Sequence, residues 1–393
     1  MAAPPPILCP VLVGRDNELE ELTALVDRAA AGRGGVVAVV GDAGTGKARL
    51  VAAAVDRARD RGLRPLTGRA VDRTVASPYR PLTEAFLGAL RDRALPTGGE
   101  LTGFERHLGR FVPAWQRPDD PHAEESDVVL AEGAARLLGA LAGDRGTVLV
   151  LEDLHWSDRE TLGVIDHFVE ALTERPVLCV VTARPEAGDV LARTTRRRGA
   201  TTIRLGPLDP EGTAALVTAA LGGDPPPAVV DFVARHAEGN PLLAEELLAG
   251  LAGTGALVHD ARWTVAGELT ATVPHDMAQS VRARLATFDP EARLVVAAAA
   301  VMGRSFDWEL LPGVAEVDAR AVVEALRTAV DLQLVEVVGQ GFRFRHALIR
   351  EAVLAGLLPP ERRALARRAW PAIERAHPGL PDPWCELAAE LAQ

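Results

Sequence analysis

The sequence predicts an α/β fold: a parallel sheet packed with helices, followed by a run of helical segments. Three observations carry this. Gly41-Asp42-Ala43-Gly44-Thr45-Gly46-Lys47-Ala48 stands between an apolar run, Gly35 to Val40, and an alanine-rich helical stretch from Arg49 to Ala54. A second apolar run, Thr147 to Leu151, ends in Glu152 and Asp153. Strand-like and helix-like stretches alternate up to residue 205, the pattern of a parallel sheet with helical crossovers, and short helices dominate from Gly206.

The bulk properties narrow the class. The 393 residues suffice for two or three domains, and 48% hydrophobic with 25% charged residues is ordinary for a globular chain. A net charge of −11 argues against a broad nucleic-acid-binding surface. Three scattered cysteines, Cys9, Cys179 and Cys385, have neither metal spacing nor an even count, which points to a reducing cytoplasm. The start, Met1 to Pro6, has no signal-peptide pattern. The longest apolar run, Leu294 to Met302, is nine residues, too short to span a membrane.

Taken in order, residues 1–10 read as a proline-rich flexible tail. Leu19, Leu22, Leu25 and Val26 recur at helical spacing, so a helix starts near Asp16, with Asp16 or Asn17 able to cap it. Gly34 and Gly35 lead into the first strand. Residues 66–82 hold a second strand and a loop containing Ser77-Pro78-Tyr79-Arg80-Pro81. Residues 83–112 read as helical, 113–127 as an exposed proline-rich acidic loop, and Leu130 to Ala142 as a helix. The Thr147–Leu151 strand follows, then a helix from Arg159 to Leu172, the strand Val177–Val181, and a last strand, Thr202–Leu205. Asp209-Pro210 and Asn240-Pro241 mark helix starts. Later come Leu334–Val338, a Gly339-Gln340-Gly341 turn and Phe342–His346, a hairpin after three helices, which is a winged-helix order. From Pro359 the chain is helical and arginine-rich, with Arg362, Arg363, Arg367 and Arg368, and a further helix begins at Asp382.

The chemistry concentrates at the strand ends. A buried strand, a glycine-rich turn and a helix start are the context of a P-loop, whose N–H groups curl around phosphate oxygens at the positive end of a helix. Lys47 reaches the outer phosphates. It is the only lysine among 43 basic side chains, and an ammonium is not interchangeable with a guanidinium there. The residue after that lysine should be Ser or Thr, whose hydroxyl binds Mg²⁺; here it is Ala48. Glu152 would hold Mg²⁺, and Asp153 would orient or deprotonate an attacking water. A buried strand with a capping acid is the structural alternative. Arg184, after Thr182-Ala183, stands at the tip of the neighbouring strand, where a cation can sense a terminal phosphate; a solvated arginine is the alternative.

These blocks together resemble the ATPase part of the large ATP-binding LuxR-type transcriptional regulators of actinobacteria, within the STAND class of signalling NTPases. The blocks are Val13-Gly14-Arg15, the P-loop, Leu151-Glu152-Asp153-Leu154-His155-Trp156-Ser157-Asp158, Thr182 to Glu186, Gly239-Asn240-Pro241-Leu242, and Phe344 to Ala352. The resemblance covers about residues 11–393. It implies a P-loop nucleotide-binding domain (11–205), a helical domain (206–275), a winged-helix domain (276–358) and the start of a helical repeat region (359–393). Those regulators continue into repeats and a C-terminal helix-turn-helix, neither complete here, so a fragment and a shortened relative both stay open. DNA would be bound only through that absent domain, with no membrane contact.

The resemblance further implies a switch. ADP bridges the domains in a closed monomer, and an inducer or protein partner with ATP allows self-association. It implies that Val13, Gly14 and Arg15 lie near the adenine and that the P-loop residues Gly41, Ala43, Gly44, Thr45, Gly46, Lys47, Ala48 and Arg49 bind the nucleotide. Pro241 would pack beside the base, and His346 would latch the phosphates; a histidine suits this because its charge adjusts near neutral pH. With no hydroxyl at Ala48, and Thr45 too far along the loop to replace it, nucleotide binding is expected to survive and hydrolysis to be slow or negligible. A working AAA-like ATPase, with Arg193, Arg196, Arg197 and Arg198 as a basic run near the sheet edge, and a catalytically inactive scaffold are the alternatives.

Overall fold

The computed structural model describes residues 7–71, 78–91, 94–116, 126–142, 145–185, 200–270, 275–339 and 341–376. The chain divides into two compact units, Val11–Leu208 and Met1–Pro10 with Asp209–Gln393.

The first unit is built on five parallel strands, β1 (Gly35–Gly41), β2 (Arg64–Arg69), β3 (Thr147–Glu152), β4 (Val177–Ala183) and β5 (Ala200–Leu205), in the order β2-β3-β4-β1-β5. Every residue of β1 and β4 is buried, as both faces of a parallel sheet are covered. Alternation along β1 feeds two cores. Val36, Ala38 and Val40 join one, with α3 (Arg80–Leu90), α5 (Asp127–Ala142) and α6 (Arg159–Leu172). Val37 and Val39 join the other, with α1 (Asp16–Ala30) and α2 (Lys47–Asp60).

Several sequence expectations need correction here. α1 is preceded by Arg15, with no side-chain cap, while Asp16 sits in the first turn, where its charge meets the positive end of the helix. Residues 83–112 are not one helix. α3 stops at Leu90; a 3-10 turn (Gly99–Leu101) and the short α4 (Glu105–Leu108) follow. Gly98 and Gly99 have φ of 75° and 58°, left-handed values that a continuous α-helix does not accommodate. β2 begins at Arg64, and α5 begins at Asp127, inside the stretch read as a loop. Ser77, most of that acidic loop, and Arg193, Arg196, Arg197 and Arg198 lie outside the described residues.

In the second unit, α7 (Pro210–Leu221), α8 (Pro227–Ala237) and α9 (Pro241–Gly253) pack together, followed by a hairpin absent from the sequence reading, β6 (Leu257–His259) and β7 (Trp263–Val265). Asp209 and Asn240 cap α7 and α9 through their side chains, each with proline in the first turn. Then come α10 (His275–Leu285), α11 (Pro290–Met302), β8 (Ser305–Phe306), α12 (Leu311–Ala315), α13 (Ala319–Asp331), β9 (Val335–Val338), β10 (Gly341–Phe344), α14 (Ala347–Ala355) and α15 (Pro359–Ala376). The hairpin carries β8 as a third strand, in the order β8-β10-β9. The expected tail is anchored at its end: Cys9 is buried, and its N–H donates to Glu245 Oε1 at 2.9 Å. The helix expected at Asp382 lies outside the described residues.

Candidate functional site

The C-terminal edge of the sheet gathers the candidate residues of the first unit. β1 runs into the glycine loop, and α2 starts at Lys47. The loop needs its glycines. Gly44 and Gly46 have φ of 79° and 92°. A Cβ on Gly41 would meet the Leu205 carbonyl oxygen at 2.7 Å. Gly46 precedes α2 without a side-chain cap, so the positive helix end opens onto the loop. Lys47 Nζ donates to the carbonyls of Gly41 and Asp42, each at 2.7 Å, which parks the ammonium at the loop's mouth. These residues fit a phosphate group. Ala43 is exposed and Arg49 half-buried on the first turn of α2.

On the metal side the donor set is sparse. Ala48 is exposed at the start of α2 and offers no oxygen. Thr45 is 4% exposed and its hydroxyl donates to the Asp42 carbonyl at 2.9 Å, so it is turned into the loop. Among the described residues no group of three or more His, Cys, Asp and Glu is arranged to hold a metal ion. Glu152 is a half-buried carboxylate at the end of β3.

β4 lies between the glycine-loop strand and the strand of Glu152. Its register sets Ala183 beside Val40 and Val181 beside Leu151. Thr182 and Arg184 therefore emerge between the loop and the carboxylates. The Thr182 hydroxyl accepts the Asp153 N–H at 2.9 Å and holds the turn there, where Asp153 has a left-handed φ of 57°. The Arg184 guanidinium lies 5.8 Å from the centre of the Trp156 ring.

Arg69 is a residue that sequence reasoning missed. At the end of β2, it pairs in register with Glu152. Its Nε and Nη2 donate to Asp153 Oδ2 at 3.0 and 2.9 Å, and Nε stands 4.0 Å from Glu152 Oε2. Hydrogen bonding to Asp153, then its charge, raises the Arg69 pKa above the ordinary arginine value. Asp153 thus already serves a cation. Gly68 admits this strand end, because a Cβ there would overlap the Pro81 carbonyl.

Val13 and Gly14 precede α1, and Arg15 is buried against the loop, with Nη2 3.4 Å from the Thr45 carbonyl.

In the second unit, Pro241 opens α9 and His346 immediately precedes α14. Glu238 brings the two blocks together. Its Oε1 accepts the Ala347 N–H at 3.0 Å, and its Oε2 pairs with Arg304. Glu238 itself holds a left-handed φ of 52°, two residues before Asn240. Nothing in local spacing marks Glu238 or Arg304, because their pairing is made by tertiary packing.

Residues 11–181 match the family model described as the AAA ATPase domain. The segment has the fold and motifs of an AAA-type P-loop ATPase. The chain is similar to the Walker-type ATPase PABY2304 of Pyrococcus abyssi, at 10% identity and a TM-score of 0.51 over 90% of this chain and 99% of that one. It is likewise similar to the ORC1 protein of Aeropyrum pernix, solved in complex with DNA, at 20% identity and a TM-score of 0.51 over 94% and 97%. At these identities the likeness concerns the fold. An uncharacterized protein of Rhizobium meliloti (strain 1021) is 27% identical over 93% of this chain, and the chain spans 37% of that relative's length.

Proposed function

We propose that this chain is an ATP/ADP-binding signalling switch module of a LuxR-type transcriptional regulator, with slow or negligible ATP hydrolysis. The observation that carries the reading is the split at the glycine loop: the phosphate cradle and Lys47 are intact, while position 48 has no hydroxyl and Thr45 is turned away. Binding rests on the cradle; phosphoryl transfer rests on metal charge and positioning. Mg²⁺ is therefore held weakly, through Glu152 and the phosphates. The pairing of Asp153 with Arg69 adds to this, because the Oδ2 that would orient a water already accepts two guanidinium N–H groups.

In this reading Val13 and Gly14 border the base, Arg184 senses the terminal phosphate, and the second unit supplies Pro241 beside the base and His346 toward the phosphates. The order α11, β8, α12, α13, β9, β10 supports a winged helix serving as a clamp, with α15 opening a repeat region. The link through Glu238 supports Pro241 and His346 acting as one element. An inducer or protein partner with ATP would release that element and permit self-association, and DNA would be contacted through a separate C-terminal domain. Cys9 and Cys179, buried and not disulfide-bonded, suit a cytoplasmic setting.

Lys47→Ala separates this from the alternatives. Loss of the ammonium should weaken ADP by about 10- to 100-fold in calorimetry, the scale of a lost charged hydrogen bond. Unchanged ADP affinity would leave only the inactive scaffold. Rapid wild-type turnover abolished by the variant would favour the remodelling ATPase.

A further inference from the structure

Arg15 is only 7% exposed, so its guanidinium is buried. A buried guanidinium is costly unless its N–H groups are met. Here Nη1 reaches Glu18 Oε1 at 3.4 Å, and Nη2 reaches two backbone carbonyls, Thr45 at 3.4 Å and Gly206. Thr45 belongs to the glycine loop. Gly206 follows β5, and only Pro207 and Leu208 separate it from Asp209, where the second unit begins.

Peptide geometry gives this arrangement a consequence. The C=O and N–H of a trans peptide point in opposite directions. Drawing the Thr45 carbonyl toward Arg15 turns the Gly46 N–H the other way, away from the Arg15 side of the loop. The Thr45 hydroxyl bonded to Asp42 fixes the same residue from its side chain. A phosphate accepting the Gly46 N–H would polarise that peptide and strengthen its carbonyl's bond to Arg15.

We propose that Arg15 is a positioning residue that sets the Thr45–Gly46 peptide for phosphate binding and ties it to the segment leaving the unit at Gly206. One buried side chain thereby couples occupancy of the loop to residues 204–208, and the coupling is reciprocal. One nitrogen of the planar fork, Nη2, meets both carbonyls while Nη1 meets Glu18; a lysine ammonium, a compact point charge, does not reproduce all three contacts. The proposal rests on the reading of the loop as a nucleotide site.

The test is amide hydrogen exchange on the wild type, Arg15→Lys and Arg15→Gln, with and without ADP, alongside calorimetric ADP affinity. In the wild type, ADP should slow exchange in both 43–47 and 204–208. In Arg15→Lys, exchange without nucleotide should rise in both segments together, ADP should bind about tenfold more weakly, and ADP should no longer slow 204–208. Arg15→Gln should behave the same way. Continued ADP protection of 204–208 in either variant would overturn the proposal. So would a loss of ADP affinity with wild-type exchange in both segments, the pattern of an arginine that only touches the base. If wild-type protein bound no ADP, the nucleotide reading would fail, while the nucleotide-free arm would still decide whether Arg15 joins the two segments.

Discussion

Ala48 is one methyl group in a position that calls for an oxygen, and the functional reading turns on it. Its exposed place on the first turn of α2 lets a hydroxyl be added without repacking. Ala48→Thr should therefore increase Mg²⁺-dependent ADP affinity by about tenfold, or ~1.4 kcal/mol, measured by titration with and without EDTA. Equal affinities in both conditions would mean that position 48 does not address the metal. Lys47 and Glu152 were recognisable as candidates in the sequence because each sits in a contiguous motif whose neighbours announce it. Arg69 was not. Its partner is 84 residues away, and only the register of β2 against β3 brings the two together. The same holds for Thr182, whose role depends on which strand lies beside the turn at Asp153.

At the scale of elements, the sheet was legible because solidly apolar strands end in polar, chemically specific residues. The break after α3 was less so: an apolar pattern continued through Leu101 and Leu108, and the left-handed glycines at 98 and 99 decided the outcome. The hairpin of β6 and β7 was missed because two three-residue strands carry almost no periodicity. Glu238 is the element-level device that joins α8, β8 and α14. Glu238→Ala should cost about 1–2 kcal/mol, combining a lost helix cap with a stranded, half-buried Arg304. Glu238→Gln should recover part of this, since an amide oxygen still accepts the Ala347 N–H. Urea unfolding of both variants checks it; an Ala variant as stable as wild type would mean that the contact is incidental.

At the scale of the molecule, an AAA-type ATPase segment is followed by a second unit with its own core around α11, α13 and α14. The compact units divide at Leu208. The contacts of Arg15, Glu238 and Arg304 were not legible, because they run through backbone groups and tertiary pairs rather than through motif spacing. The central claim is a nucleotide-retaining switch that hydrolyses poorly. The direct measurement is nucleotide content and Mg²⁺-dependent ATP turnover of the purified chain. A switch of this kind carries bound ADP or ATP and turns over far below the ~1–100 s⁻¹ of efficient phosphotransferases. Turnover within that range, or protein that binds neither nucleotide, would contradict it.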